Sequence, residues 1–112
     1  MAQVKEALAK EGFGVLSEIS ISDKLKEKFG VDYPKYTILG ACNPAFAYKA
    51  LQQEDKIGTM LPCNVVVRQS NEKRVEVAAI DPIVSMIGVE NEKVLAVSGE
   101  IKAKLIRVVE RL

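Results

Sequence analysis

The sequence has no histidine and no tryptophan, and among its 112 residues only two cysteines, three tyrosines and three phenylalanines. Without histidine there is no Ser-His or Cys-His nucleophile pair, no His-ligated zinc and no HExxH metalloprotease helix. Any acid–base chemistry falls to Asp, Glu, Lys, Tyr or Cys. An excess of one charge is also missing: 16 Lys and Arg face 15 Asp and Glu, for a net charge of +1. The charges are interspersed and the aromatics scattered, so neither a basic groove nor a stacking platform for nucleic acid is present. No apolar run approaches the ~20 residues that cross a bilayer, and the opening MAQVKEALAKEGF has no long apolar core of the secretory kind. The expectation is a cytoplasmic protein with no membrane and no nucleic-acid partner, whose cysteines are thiols rather than a disulfide. Linkers, repeats and low-complexity tracts are absent as well, leaving residues 1–112 as a single small domain with one modest core.

What is present alternates between helical and strand-like patterns. Residues 2–11 read as a short helix with Val4 and Leu8 on one side, closed by Gly12. A strand from Phe13 to about Ser20 puts Phe13, Val15, Ser17 and Ile19 on one face, with Leu16 and Glu18 on the other. Ser20 and Asp23 form a capping-box pattern for a helix carrying Ile21, Leu25 and Phe29, which ends at Gly30. Its lysines, Lys24, Lys26 and Lys28, enclose Glu27 and read as a solvated face. After a loop held by Pro34, a strand over Tyr36–Ala41 leads to Asn43 as N-cap and Pro44 as first residue of a helix to about Gln53, burying Phe46, Ala47, Ala50 and Leu51. The strand LPCNVVVRQ places Leu61, Cys63, Val65 and Val67 together, SNEK turns the chain, and RVEVAAI returns with Val75, Val77 and Ala79 on one face. Asp81 and Pro82 open another short helix. The last helix, from about Asn91 to Arg111, carries Val94, Val97, Ile101, Leu105, Val108 and Leu112 as a stripe that covers the sheet.

Both cysteines are followed by asparagine at an element end, Cys42-Asn43 and Cys63-Asn64. Cys63 shares the apolar face of its strand and reads as core. Cys42 just precedes a helix N-terminus, where unpaired N–H groups favour a thiolate. The hairpin register that sets Arg68 opposite Glu76 sets Cys63 opposite Asp81, whereas a two-residue slip sets it opposite Ala79. If the strands carrying Cys42 and Cys63 run antiparallel, both Cys-Asn pairs and Asp81 gather at one end of the sheet. A right-handed parallel crossover would separate them by a strand length.

Four stretches, KEALAKEGFGVLSEI, KLKEKFGVDYPKYTILGACNPAFAYKAL, IGTMLPCNVVVR and AIDP, together resemble the bacterial and archaeal family called domain of unknown function 302. The resemblance covers nearly the whole chain. It implies an α+β fold of the TATA-binding-protein-like kind, a mixed or antiparallel sheet of about four strands with helices on one face, and no settled activity. Members of that family usually carry a strand before the first helix, so this sheet is expected to lack an edge strand or to borrow one.

The functional expectation is a small polar or anionic ligand held at the Cys-Asn end of the sheet by Cys42, Asn43, Pro62, Cys63, Asn64 and Asp81, with backbone N–H groups as donors. The alternatives are a thiol-redox or soft-metal protein using Cys42 and Cys63, and a purely structural or interaction domain. No cofactor is indicated. A half-apolar outer sheet face near Leu16, Val66, Ala78 and Ile80, together with the missing edge strand, points to a homodimer or larger assembly.

Overall fold

The computed structural model describes residues 1–72, 74–85 and 92–112. Four strands, β1 (Gly14–Ser20), β2 (Tyr36–Cys42), β3 (Cys63–Asn71) and β4 (Arg74–Ala79), form one sheet in sequential order, every neighbour antiparallel. Helices α1 (Ala2–Lys10), α3 (Pro44–Gln53), α4 (Pro82–Ser85) and α5 (Glu92–Glu110) lie with the core on one face, and α2 (Ile21–Phe29) joins β1 to β2. The 20-residue connection through α3 and a 3₁₀ turn, Ile57–Met60, brings the chain back to the end it left, so β2 and β3 are antiparallel. Lys73 and Asn91, assigned above to a turn and a helix start, lie outside the described residues.

Leu8 of α1, Leu39 of β2, Val65 of β3 and Val108 of α5 meet in the main core. A smaller cluster joins Ala50, Ile57 and Val94 under α3 and the 3₁₀ turn. The end of α1 shows how local and tertiary order coincide. Gly12, at φ 84°, lets its N–H reach the Ala9 carbonyl and the Phe13 N–H reach that of Leu8, while Leu8 and Phe13 share the core. Ser20 accepts from the Asp23 N–H at 3.4 Å, and Gly30, at φ 70°, ends α2 as its sequence predicts.

Several face assignments differ from the sequence pattern. A bulge at Leu16 shifts the register between Val15 and Ser17, pairing Val15 with Ala41 but Ser17 with Gly40. Beyond it the strand's faces exchange. Ile19 pairs with Ile38 on the outer face, and Glu18 turns to the helical side, where Lys5 of α1 binds it at 2.9 Å. No residue of α2 is buried, and Phe29 is 78% exposed. On α5 the buried stripe runs through Val94, Ser98, Ile101, Leu105 and Val108, with Val97 half-buried and Leu112 exposed. Leu51 of α3 and Val75 of β4 are exposed too, lying beyond the margins of the core.

One ionic tie fastens α1 to α5. Glu11 is 8% exposed; Arg107 Nε donates to its Oε1 at 2.8 Å and Arg111 Nη1 lies 2.7 Å from its Oε2. The Arg107 hydrogen bond, helped by the positive charge of both arginines, holds the Glu11 carboxyl below its usual range despite the opposing cost of burial. A depressed folded-state pKa contributes stability above the ordinary value of 4.5, and that contribution disappears as pH falls through the folded value. In acid titrations below pH 4.5, wild type should therefore lose unfolding free energy more steeply than Glu11→Gln; parallel curves would show that the tie carries no net stability.

Gly40 marks a second close approach. A Cβ there would collide with Ser17 Oγ and lie 2.9 Å from the ring carbon Cγ of Pro62. The hydroxyl can rotate away but the ring cannot. Gly40→Ala is expected to cost about 1–3 kcal/mol in urea unfolding. Gly58→Ala, which meets open space, should stay within about 0.5 kcal/mol of wild type.

Candidate functional site

The antiparallel pairing of β2 with β3 sets Ala41 opposite Cys63 and Gly40 opposite Asn64. Cys42 and Cys63 consequently stand at the same end of the sheet, both free thiols and both half-buried. Between them and the helices lies a cavity of about 40 Å³, bordered by Phe13, Cys42, Asn43, Phe46 and Ala47 on one side. Cys63, Pro82, Val97, Ser98 and Ile101 close the other side. Most of this wall is hydrocarbon. The Ser98 hydroxyl donates to the Val94 carbonyl at 2.9 Å, which satisfies the one hydroxyl on the α5 side.

Asn43 takes a different role from the one its position suggests. It occupies the N-cap of α3, but its side chain makes no capping bond. Instead Nδ2 donates to the Glu11 carbonyl at 3.3 Å and packs within 3.0 Å of where a Cβ on Gly12 would sit. The asparagine thus joins the α1–β1 turn to the β2–α3 junction, and among the described residues no side chain caps the first turn of α3 beside the cavity.

The remaining expected site residues do not join this group. Asn64 is exposed on the outer face, its carbonyl accepting from the Ile80 N–H at 3.1 Å. Pro62, preceded by a cis peptide, packs toward Gly40, also away from the cavity. The hairpin does adopt the register with Arg68 opposite Glu76, and the slipped alternative is absent because Ala79 pairs with Val65. Ladder pairing, however, ends there. Asp81 then caps α4 by accepting from the Ile83 N–H at 3.0 Å and binds Lys102 at 2.9 Å, bordering a separate groove between β4 and α5. Strand alternation explains the split: two residues adjacent in a strand face opposite sides, so Cys63 and Asn64 cannot both line one pocket.

The electrostatics oppose thiolates. Burial raises the Cys42 pKa, and burial, followed by repulsion from a charged Cys42, raises that of Cys63. Among the described residues, no arginine or lysine borders the cavity to offset this. Among the described residues, no group of three or more Cys, Asp or Glu side chains is arranged to hold a metal ion. No helix among them is long and apolar enough to cross a membrane.

The family described as Domain of unknown function DUF302 matches the sequence over residues 1–112. The chain belongs to the DUF302 family. Its fold agrees with a solved member, an uncharacterized conserved DUF302 protein from Bacillus stearothermophilus. That protein is 30% identical with a TM-score of 0.89, and the match covers 98% of this chain and 85% of that one. No curated protein matches the sequence. Membership fixes the α+β architecture and leaves the activity to be argued from the site.

Sequence reasoning passed over Glu11 and Ser98, which are the buried polar residues among the described ones. Glu11 has a legible partner signal in Arg107 and Arg111, four apart on one helix face, but nothing in the sequence says that this face meets the end of α1. For the thiols, the expected outcome is slow alkylation: at neutral pH iodoacetamide should modify both cysteines of the folded protein more slowly than N-acetylcysteine, accelerating only in alkali. A Cys42 faster than the free thiol would show that the helix terminus outweighs burial.

Proposed function

We propose that this DUF302 protein binds a compact ligand in the cavity under the β2 and β3 ends, and that the ligand carries a small apolar body and one anionic or acceptor group. The observation that carries this reading is the position of the cavity between two free thiols and a helix N-terminus without a side-chain cap. Backbone N–H groups in the first turn of α3 suit a negative charge, and the hydrocarbon wall suits a short chain. Neutral thiols add weak donors at the boundary. The size is restrictive, because 40 Å³ is room for about three waters. Formate, acetate and propionate span that size range. Asn64 and Asp81, being turned elsewhere, leave recognition to Cys42, Cys63 and the backbone beside Asn43.

A dithiol reading is favoured by one specific observation, the convergence of the two free cysteines on one cavity. In that case a small disulfide would be reduced to two thiols while Cys42 and Cys63 lose two hydrogens and join. The raised pKa values make such exchange slow near neutrality. Ligand binding needs no thiolate and is the stronger reading.

Thermal unfolding across the three carboxylates tests it. At a concentration 100-fold above its dissociation constant, a ligand that binds only the folded state adds about 2.7 kcal/mol, or more than ten degrees in a domain of roughly this size. Filling the cavity by Ala47→Leu should abolish that shift while leaving a cooperative transition. Absence of any shift for all three acids, with identical masses in native and denaturing spectra, would refute the proposal. A protein two hydrogens lighter after incubation with a small disulfide, again with no shift, would put the dithiol reading in its place.

A further inference from the structure

Phe46 lies in the first turn of α3, and its ring forms part of the cavity wall. The same ring gathers two lysines from different helices. Lys49 Nζ of α3 is 5.2 Å and Lys104 Nζ of α5 is 5.8 Å from its centroid. Both ammonium groups therefore stand one side chain outside the wall, without bordering the cavity themselves. Neither makes an ion pair among the described residues, although carboxylates hold Lys5, Lys24, Lys26 and Lys102. Glu100, one turn before Lys104, has the i,i+4 spacing that favours pairing, yet Lys104 turns to the ring. Lys104 is half-buried. Two like charges drawn onto one ring repel each other, and no carboxylate among the described residues offsets them.

We infer that Lys49 and Lys104 form a second anion subsite, and that the ligand of the cavity is a short α,ω-dicarboxylate. One carboxylate lies at the first turn of α3, the methylene chain follows the hydrocarbon wall, and the other carboxylate sits between the two ammonium groups beside Phe46. This rests on the cavity reading proposed above and adds to it a second charge at a defined place. The lysine pair carries the inference. Size agrees with it, because a cavity of about 40 Å³ accepts only one end of such a molecule and the remainder must emerge past Phe46 at the rim. Spacing agrees as well. Lys49 lies four residues beyond Ala45, a rise of ~6 Å along the helix, which suits the chain lengths from succinate to adipate. Amino dicarboxylates fit poorly. No acidic side chain among the described residues lines the cavity, so the ammonium group of glutamate would find no partner there.

Isothermal titration at low ionic strength with propionate, glutarate, monomethyl glutarate and glutamate tests this. Glutarate should bind about tenfold or more tightly than propionate, since charge-assisted contacts to two lysines are added. Monomethyl glutarate, which keeps the chain and loses one charge, should fall back to the propionate level, and glutamate should bind more weakly than glutarate. Combining Lys49→Gln with Lys104→Gln should erase the advantage of glutarate, while propionate, too short to reach the lysines, binds as before. Lys28→Gln on α2 should retain the advantage, which separates a local subsite from net charge. Glutarate no tighter than propionate, or an advantage that survives loss of both lysines or esterification, overturns the subsite and leaves the cavity reading standing. Binding by none of the four compounds overturns both.

Discussion

The pairing of Leu39 with Val65 and of Ala41 with Cys63, at the centre of the sheet, is the constraint on which the other features rest. Because β2 and β3 run antiparallel, the end of one and the start of the other coincide, and the two cysteines meet the same cavity. Because Leu39, Ala41 and Val65 are almost wholly buried on the helical side, their neighbours Ile38, Gly40, Asn64 and Val66 must face outward. A one-residue slip would exchange every one of these assignments and place the helices over Asn64 and Gly40. The cavity and the outer face of the sheet are two results of a single register.

Around that register the chain uses polar side chains as ties between segments distant in sequence. Glu11 binds α5 through two arginines while its own carbonyl holds Asn43, so the turn after α1, the start of α3 and the last helix are joined at one place. This has a chemical consequence. Asn43 cannot serve α1 and cap α3 at once, and its attachment to Glu11 leaves the first-turn amides of α3, beside Cys42, without a side-chain acceptor among the described residues. The tie that stabilises the helical layer is thus also what opens the helix terminus toward the cavity.

The elements themselves were legible in the sequence because their signals are local: Gly12 and Gly30 at positive φ, Ser20 with Asp23, Pro44 at a helix start, and Arg68 opposite Glu76. Faces were harder. Strict alternation assigned Ile19 inward, and the bulge at Leu16 reversed it, since one extra residue shifts the parity of everything after it. The site was half legible for a related reason. Each Cys-Asn pair looks like a unit in sequence, yet Cys63 and Asn64 are consecutive strand residues and face opposite sides. Asp81 failed to join them because the ladder ends at Ala79 and the acid is taken by the α4 cap and by Lys102. Asn43 was placed correctly at the α3 N-cap, but the competing acceptor at Glu11 is 32 residues away and leaves no mark in the local pattern.

The small side chains near the cysteines connect the cavity to the fold's thinness. In a two-layer domain of this size, core volume comes from one sheet face and the helices above it, and a cavity survives only where those helices cannot close down on the sheet. Here Ala41, Ala47 and Ala50 stand where larger residues would fill the space, and Phe46, flanked by Lys49 and Lys104 at 5.2 and 5.8 Å from its ring, stays at the rim instead of entering. A cation within about 6 Å of a ring face is attracted to it, and these two lysines pack on Phe46 with their ammonium groups toward the half-buried side of its ring. An isoleucine or leucine at any of the three alanines would close the space and add buried apolar area. That the sequence places alanine at all three leaves the cavity open at the one point where both thiols and the uncapped helix terminus can be reached together.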